Sequence, residues 1–300
     1  MSFRKMLIAE PGSHPRLAKI DPGFHDVHEG EDAAKADLAQ TVATMTSLQA
    51  KLYGERRHAL LIVLQGIDAA GKDGVCWHVI QGMNPQGTAV TGFKQPTPEE
   101  AAHDFLWRVH PHAPAKGQVA VFNRSHYEDV LVARVHKLVP EPVWKARYDQ
   151  INAFEALLAA SGTTILKFFL YISPEEQLER FRKRLDDPAR QWKISDADYK
   201  ERALWDDYIA AYEAMLHHCS TAVAPWYVIP SNHKWFRNLA VSKIIVETLE
   251  EMKLELPAPS VDIEAIRRAY HAAAAHPDAP AKAGSVPTGA VPTGPAKSGA

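Results

Sequence analysis

The chain has 300 residues, 46% of hydrophobic types and 23% charged, a composition that excludes disorder throughout and suffices for one large domain or two. Lys and Arg number 34 against 36 Asp and Glu, a formal net charge of -2, so no global charge draws the chain to nucleic acid or to an anionic membrane. Cys76 and Cys219 are too few for a disulfide scaffold and lack a zinc-ligand spacing. No apolar run approaches the roughly 20 residues of a membrane span, and residues 1–10 hold no apolar block before a small-residue cleavage site. The expectation is a cytoplasmic protein with neither a membrane nor a nucleic-acid partner.

Residues 1–30 mix Pro11, Gly12, Pro15, Pro22 and Gly23 with few periodic apolar positions and read as an extended arm along the surface. Leu38, Val42, Met45, Gln49 and Leu52 then recur at helical spacing. Ala59 to Leu64 is a continuous apolar run, the pattern of a parallel strand buried on both faces. Further strands are expected at Thr88 to Gly92, Gln118 to Phe122, Thr163 to Ile172 and Trp226 to Ile229, with helices between them. Thr97-Pro98-Glu99-Glu100 and Ser173-Pro174-Glu175-Glu176 each set a hydroxyl cap, proline at the first helical position and glutamate at the third. Ser195-Asp-Ala-Asp198 is a weaker start of the same kind.

Strands alternating with helices predict an α/β fold, a doubly wound parallel sheet whose ligands bind beyond the carboxyl ends of the strands. It should occupy residues 31–256. From Pro257 seven of the 21 prolines appear, and Val286-Pro-Thr-Gly is repeated at Val291. Residues 257–300 therefore read as a low-complexity, disordered tail in which Ile263 to Ala275 forms one amphipathic turn or two.

Gly66-Ile-Asp-Ala-Ala-Gly71-Lys72 follows the first buried strand and opens a helical stretch containing Val75, Val79 and Ile80. The GxxxxGK pattern arises by chance in roughly one chain in ten of this length, so its strand-to-helix setting carries the reading. There the backbone of Gly66, Ala69, Ala70 and Gly71 can curl around phosphate oxygens, and Lys72 can reach the phosphate to be transferred. Asp73 stands where a magnesium-binding Ser or Thr is usual, and Asp68 puts a carboxylate inside a loop built for anions. A bridging Mg2+ would turn that repulsion into attraction, making Asp68 a metal ligand; for Asp73 a metal role and a favourable charge in the first helical turn stand level.

Asn123-Arg124-Ser125-His126-Tyr127-Glu128 follows the third strand to the same sheet edge, where many phosphate-loop proteins carry a metal-holding aspartate. Asn123 offers a neutral oxygen and Arg124 a fork for phosphate. Between Arg180 and Lys193, six cations (Arg180, Arg182, Lys183, Arg184, Arg190, Lys193) face two acids, Asp186 and Asp187. This segment sits where kinase-like folds carry a lid that closes over the transferring phosphoryl group, so residues 180–195 are the expected lid. His217-His218-Cys219 and His110-Pro-His112 lack metal spacing, and Cys76 reads as packed.

Together, Gly66 to Gly74, Asn84 to Gly87, Phe93 to Thr97, His103 to Arg108, Phe122 to Glu128 and Trp192 to Ser195 closely resemble the polyphosphate kinase 2 family, from the first helix to about Glu255. The resemblance implies a thymidylate-kinase-like phosphate-loop fold with a helical lid, a homo-oligomer, and phosphoryl transfer between inorganic polyphosphate and nucleotides with Mg2+, Mn2+ being a substitute. It makes Asp68 the metal and catalytic carboxylate, Lys72 and Arg124 phosphate ligands, and Arg184 or Arg180 the lid arginine, while Asn123 replaces the aspartate of many members. Asn-Arg-Ser-His-Tyr-Glu resembles the class III branch, which phosphorylates AMP and ADP and so forms ADP and ATP.

Phosphate contacts are thus expected from Gly66, Ala69, Ala70, Gly71, Lys72, Asp73, Arg180 and Lys193, catalysis from Asp68, Lys72, Arg124 and Arg184, and metal binding from Asp68 and Asn123. Lys94, Asp104, Arg108, Asn123, His126 and Glu128 are expected on the nucleotide side. An ATP-dependent nucleoside monophosphate kinase and a nucleotide sensor without turnover are the competing readings.

Overall fold

The computed structural model describes residues 2–25 and 30–275. The chain divides into two units, Met1–Leu256 and Pro257–Ala300. In chain order the first unit contains α1 (Phe3–Leu7), β1 (Ile8–Ala9), α2 (Glu31–Glu55), β2 (Ala59–Gln65), α3 (Lys72–His78), β3 (Thr88–Gly92) and α4 (Pro98–Ala101). It continues with β4 (Val119–Asn123), α5 (Val132–Val135), α6 (Glu141–Ala160), β5 (Thr163–Tyr171), α7 (Pro174–Asp186), α8 (Asp196–Arg202), α9 (Trp205–Cys219), β6 (Trp226–Pro230) and α10 (Lys234–Glu251).

Among the described residues six strands form one sheet in the order β1-β6-β5-β2-β4-β3. Every pairing among β2 to β6 is parallel. All seven residues of β2 are buried, as its apolar run predicts, and alternate side chains enter different cores. Leu60, Ile62 and Leu64 pack with Met45 and Leu52 of α2 and Ile244 and Leu249 of α10. Leu61 and Val63 pack with Ile151 and Phe154 of α6 and Met215 and Leu216 of α9. Helices on both faces make the sheet doubly wound, and its five parallel strands deliver their carboxyl ends to one edge.

The helix starts form as their sequences dictate. Thr97 accepts from the Glu100 N–H at 3.2 Å while Glu100 accepts from the Thr97 N–H at 2.7 Å, closing a capping box worth about 1 kcal/mol. Ser173 accepts from the Glu176 N–H at 3.2 Å, and Ser195 with Asp198 forms a second box.

The first segment departs from the extended surface arm that its prolines suggest. Residues 3–7 are helical, Ile8 and Ala9 pair antiparallel with Tyr227 and Trp226, and Phe3, Leu7, Ala9 and Leu17 are buried. The cause is nonlocal: Glu247 on α10 accepts from the Ser2 hydroxyl at 2.6 Å and from the Phe3 N–H at 2.9 Å, holding the first turn against the core.

In the second unit, α11 (Ile263–Ala275) is a 13-residue helix rather than a turn or two, opened by Asp262 accepting from the Ala265 N–H at 3.0 Å. None of its residues is buried. The expectation for the repeated Pro-Thr-Gly stretch lies outside the described residues.

Candidate functional site

A cleft of about 1520 Å³ opens at the carboxyl edge of the sheet, and among the described residues its lining carries eleven lysines and arginines against five carboxylates. A chain of net charge -2 therefore concentrates positive charge in one place. Asp68, Ala69 and Gly71 arrive from the loop after β2, Lys72 and Asp73 from the start of α3, Phe93 and Lys94 from just beyond β3, and Asn123 and Arg124 from the end of β4 and the residue after it. Arg180, Lys183, Arg184, Arg190 and Lys193 arrive from α7 and the turn beyond it, and Lys234, Arg237 and Asn238 from the start of α10.

Two non-glycine residues of this rim adopt left-handed backbone, Ala69 at φ 66° and Arg124 at φ 62°. Each costs about 1–2 kcal/mol, held by its surroundings. Arg180 donates to the Ala69 carbonyl at 2.8 Å. The Arg124 N–H donates to the Leu64 carbonyl at 3.1 Å, and its side chain is held at 2.7 Å by Asp68.

Gly71 also has a positive φ, 109°, and here glycine is required twice over, because a Cβ would meet the Arg237 guanidinium at 1.8 Å. Gly74 has the same neighbour at 2.7 Å. Lys72 is buried and donates to the Gly66 carbonyl at 2.5 Å and the Ile67 carbonyl at 3.4 Å. Burial, with Arg124 adding to it, pushes its ammonium down to about 8. Burial alone would raise the Asp68 carboxyl, but Lys72 and Arg124 outweigh it and hold it below the usual range. Burial likewise opposes the charge on Arg124, and Glu128 and Asp68 overcome it. Asp68 and Arg124 are thus held charged by their neighbours, while Lys72 beside them is buried and carries a weakened hold on its proton.

Asn123 donates through Nδ2 to Asp73 at 2.7 Å. Asp68 with Asp73 and the Asn123 carbonyl oxygen is a hard oxygen donor set. Among the described residues no group of three or more His, Cys, Asp or Glu could hold a metal ion. Two carboxylates fit Mg2+, which commonly takes one or two from the protein and completes its shell with water and substrate phosphates.

Several expected site residues stand elsewhere. His126 is fully buried with Nε2 3.3 Å from Glu155 Oε1, so it faces the α6 core rather than the cleft. Its neighbour Tyr127 donates to the same Glu155 oxygen at 2.7 Å. Lys167 donates to Glu155 at 2.6 Å, to the Tyr127 hydroxyl at 2.7 Å and to the Cys219 carbonyl at 2.7 Å. A pair of consecutive residues after the strand is thereby anchored into the core while Arg124 turns to the cleft.

Arg108 is also buried, donating at 2.7 Å to the Lys94 carbonyl with Glu100 at 3.7 Å, so it braces the segment after β3 instead of lining the cleft. Asp104 caps a turn by accepting from the Leu106 N–H at 3.0 Å. Glu128 stands behind Arg124, 3.6 Å from its guanidinium, and accepts from Gln65 at 3.1 Å. Of the expected nucleotide-side residues, Lys94 and Asn123 line the cleft.

The lid cations split. Arg182 pairs with Glu179 and Asp186 away from the cleft. Arg180 bonds Glu176 at 2.7 Å and spends its remaining donors on the carbonyls of Ala69, Ala70, Ser231 and Asn232. A guanidinium so committed is a brace under the phosphate loop, which corrects its expected role as a phosphate ligand. The carbonyls of Gly66 and Ala70 accept from Lys72 and from Arg180. Arg184 rests against the lid, 3.3 Å from the Lys193 carbonyl and 3.8 Å from Asp198. Trp192, 78% exposed, lines the cleft beside it.

Lys234, Arg237 and Asn238 escaped the sequence reading. The signal was available, because Lys234-Trp-Phe-Arg-Asn238 opens the helix after the last strand and so belongs to the ligand-binding edge. Cys76 is partly buried and its thiol is pushed up to about 11 by burial, in keeping with packing rather than reactivity.

Residues 28–257 match the family model described as polyphosphate kinase 2. The AMP/ADP-polyphosphate phosphotransferase of Meiothermus ruber is 49% identical over 258 residues, covering 86% of this chain and 97% of that protein. The ADP-polyphosphate phosphotransferase of Rhodopseudomonas palustris is 43% identical over 251 residues, covering 80% and 86%. The crystal structure of polyphosphate kinase 2 from Arthrobacter aurescens superposes with a TM-score of 0.88 at 42% identity, covering 91% of this chain and 97% of that one.

Proposed function

The chain belongs to the polyphosphate kinase 2 family, and from that premise we propose that its cleft moves the terminal phosphoryl group of inorganic polyphosphate onto both AMP and ADP, with Mg2+. It is a polyphosphate-dependent nucleotide phosphotransferase. The observation that carries the residue-level reading is the convergence of Asp68, Lys72 and Arg124 in a cleft with a large excess of cations. A donor with a charge on every phosphate requires such an excess.

The acceptor oxygen of a nucleotide phosphate is already largely ionised, since the second phosphate pKa is about 6. No general base is needed, which accounts for a neutral Asn123 where a carboxylate is usual. The remaining work is in-line positioning and charge neutralisation. Lys72 holds the phosphate at the loop, Arg124 turns from Asp68 toward the transferring group, and Arg184 closes from the lid. Asp68, with Asp73 and Asn123, would hold Mg2+, whose charge offsets that developing on the phosphate oxygens.

The test is incubation with AMP or ADP, Mg2+ and long-chain polyphosphate. ADP and ATP are the expected products. No product from either acceptor, with ATP phosphorylating AMP instead, would replace this reading by an ATP-dependent monophosphate kinase. Binding without any turnover would leave a nucleotide sensor.

A further inference from the structure

The phosphate loop is gripped from one side by α7. Ala69 takes left-handed backbone at φ 66°, a conformation alanine disfavours, so the peptide groups before and after it need holding from outside. Arg180 holds the one after, donating to the Ala69 carbonyl at 2.8 Å. Gln177 holds the one before, its Nε2 donating to the Asp68 carbonyl at 2.9 Å. The two residues are three apart on α7 and therefore share a face.

Gln177 is only 1% exposed, and a buried amide needs a partner at each end. Its Oε1 accepts from Arg202 Nη1 at 2.8 Å, and the same nitrogen donates to the Pro174 carbonyl at 2.8 Å. These partners settle which way the amide lies, since a guanidinium only donates and a carbonyl only accepts. Turned over, it would set oxygen against oxygen and nitrogen against nitrogen. An ionised glutamate of the same shape would still accept from Arg202 but would have no N–H for Asp68.

Arg202 is the last residue of α8 and Pro174 the first of α7. Residues 180–195, the lid of the proposed cleft, run between them in the chain, so one arginine joins the two helices that frame the lid and, through Gln177, joins that frame to the phosphate loop. At the far end of the relay stands the Asp68 carboxylate, 2.7 Å from Arg124. A carboxylate goes where its main chain carries it, and a misplacement of about 1 Å at a reacting centre costs on the order of 100-fold in rate.

We propose that Gln177 and Arg202 are positioning residues for phosphoryl transfer. Neither lines the cleft; they act through the main chain of Asp68, holding it in register with the helices that frame the lid. The inference rests on the phosphoryl-transfer reading of the cleft and adds residues that set its geometry from outside.

The experiment measures kcat, KM for linear polyphosphate and for ADP, and Tm in the full-length parent, Gln177→Glu and Arg202→Met, and repeats kcat with each substitution placed on Asp68→Asn. Gln177→Glu should lower kcat about tenfold, the equivalent of one lost hydrogen bond, with both KM values within about twofold of the parent. Arg202→Met, which leaves Gln177 in place but untethered, should lower kcat about threefold. On Asp68→Asn neither should lower kcat by more than about a further twofold, because the group they position is gone. Residues that merely stabilise α7 would lower Tm and leave kcat alone.

Arg202 is partly exposed, so its variant decides the matter even if Gln177→Glu does not fold. Parent-like kcat in Arg202→Met, with the parent turning over, would overturn the relay alone. A full additional loss on Asp68→Asn would place the action at another group and also overturn it. A parent chain that transfers no phosphoryl group from polyphosphate to AMP or ADP would overturn this inference together with the reading beneath it.

Discussion

On the α6 side of the sheet, Lys167 and Glu155 are both fully buried 2.6 Å apart, with Tyr127, the Cys219 carbonyl and His126 arranged around them. At the phosphate loop, Lys72 is buried as well, with neutral oxygens for company. The difference teaches how to tell architecture from substrate site in this molecule. A buried charge whose partner is within the chain fixes a position, here that of the segment carrying Asn123 and Arg124. A buried charge whose partner is missing marks where a ligand completes the structure.

Breaking the charge cluster that faces the cleft should have the largest effect. Asp68→Asn removes the carboxylate that holds Arg124 at 2.7 Å, and we expect kcat to fall at least about 100-fold at saturating Mg2+. Circular dichroism and Tm should stay near those of the parent. A near-normal kcat would remove Asp68 from the catalytic apparatus.

The compensated pair breaks differently, through stability. Glu155→Gln leaves Lys167 buried without its counter-charge and should cost about 3–5 kcal/mol in urea unfolding. Replacing both partners, as Glu155→Leu with Lys167→Met, should recover most of that loss. Burial would raise the Glu155 carboxyl, but Lys167 and His126 hold it below its ordinary value of 4.5. A carboxyl depressed in the folded state contributes stability fully present above that value and lost as pH falls below it. The parent should therefore lose stability below about pH 4.5 more steeply than the double variant. Parallel acid limbs would mean that Glu155 is not the group responsible.

A smaller effect is expected where a cation moves between the lid and the reaction. Arg184→Ala should lower kcat about tenfold or more while changing polyphosphate binding less, as loss of a transition-state contact does. An effect confined to KM would make it a docking residue. The smallest effect belongs to Arg182, exposed and paired along its own helix with Glu179 and Asp186. Arg182→Ala should shift stability by less than about 1 kcal/mol and leave kcat unchanged; a tenfold kinetic loss would show that lid charge acts collectively.

Much of the frame was legible because it is local. A continuous apolar run placed β2, the strands expected after it match β3 to β6 within a residue or two, and hydroxyl, proline and glutamate at fixed offsets placed the starts of α4 and α7. Asp68, Lys72 and Arg124 could be chosen because strand-to-helix order puts them at one edge. What escaped depends on which way a side chain turns. His126 stands two residues beyond Arg124, yet faces the core because Glu155 waits there, 29 positions away in sequence. The first helix could not be read from its prolines, since Glu247 holds it from the far end of the unit. Arg237 looks like any arginine on a helix until the cross-section of the phosphate loop shows two glycines making room for it.

The most direct test of the contrast between the two buried charge sites is urea unfolding with and without saturating linear polyphosphate, run on the parent, Lys72→Met and Glu155→Leu/Lys167→Met. The account predicts a polyphosphate-dependent stabilisation that the Glu155/Lys167 double variant keeps and that Lys72→Met largely loses. A stabilisation retained in full by Lys72→Met and lost in the double variant would contradict it.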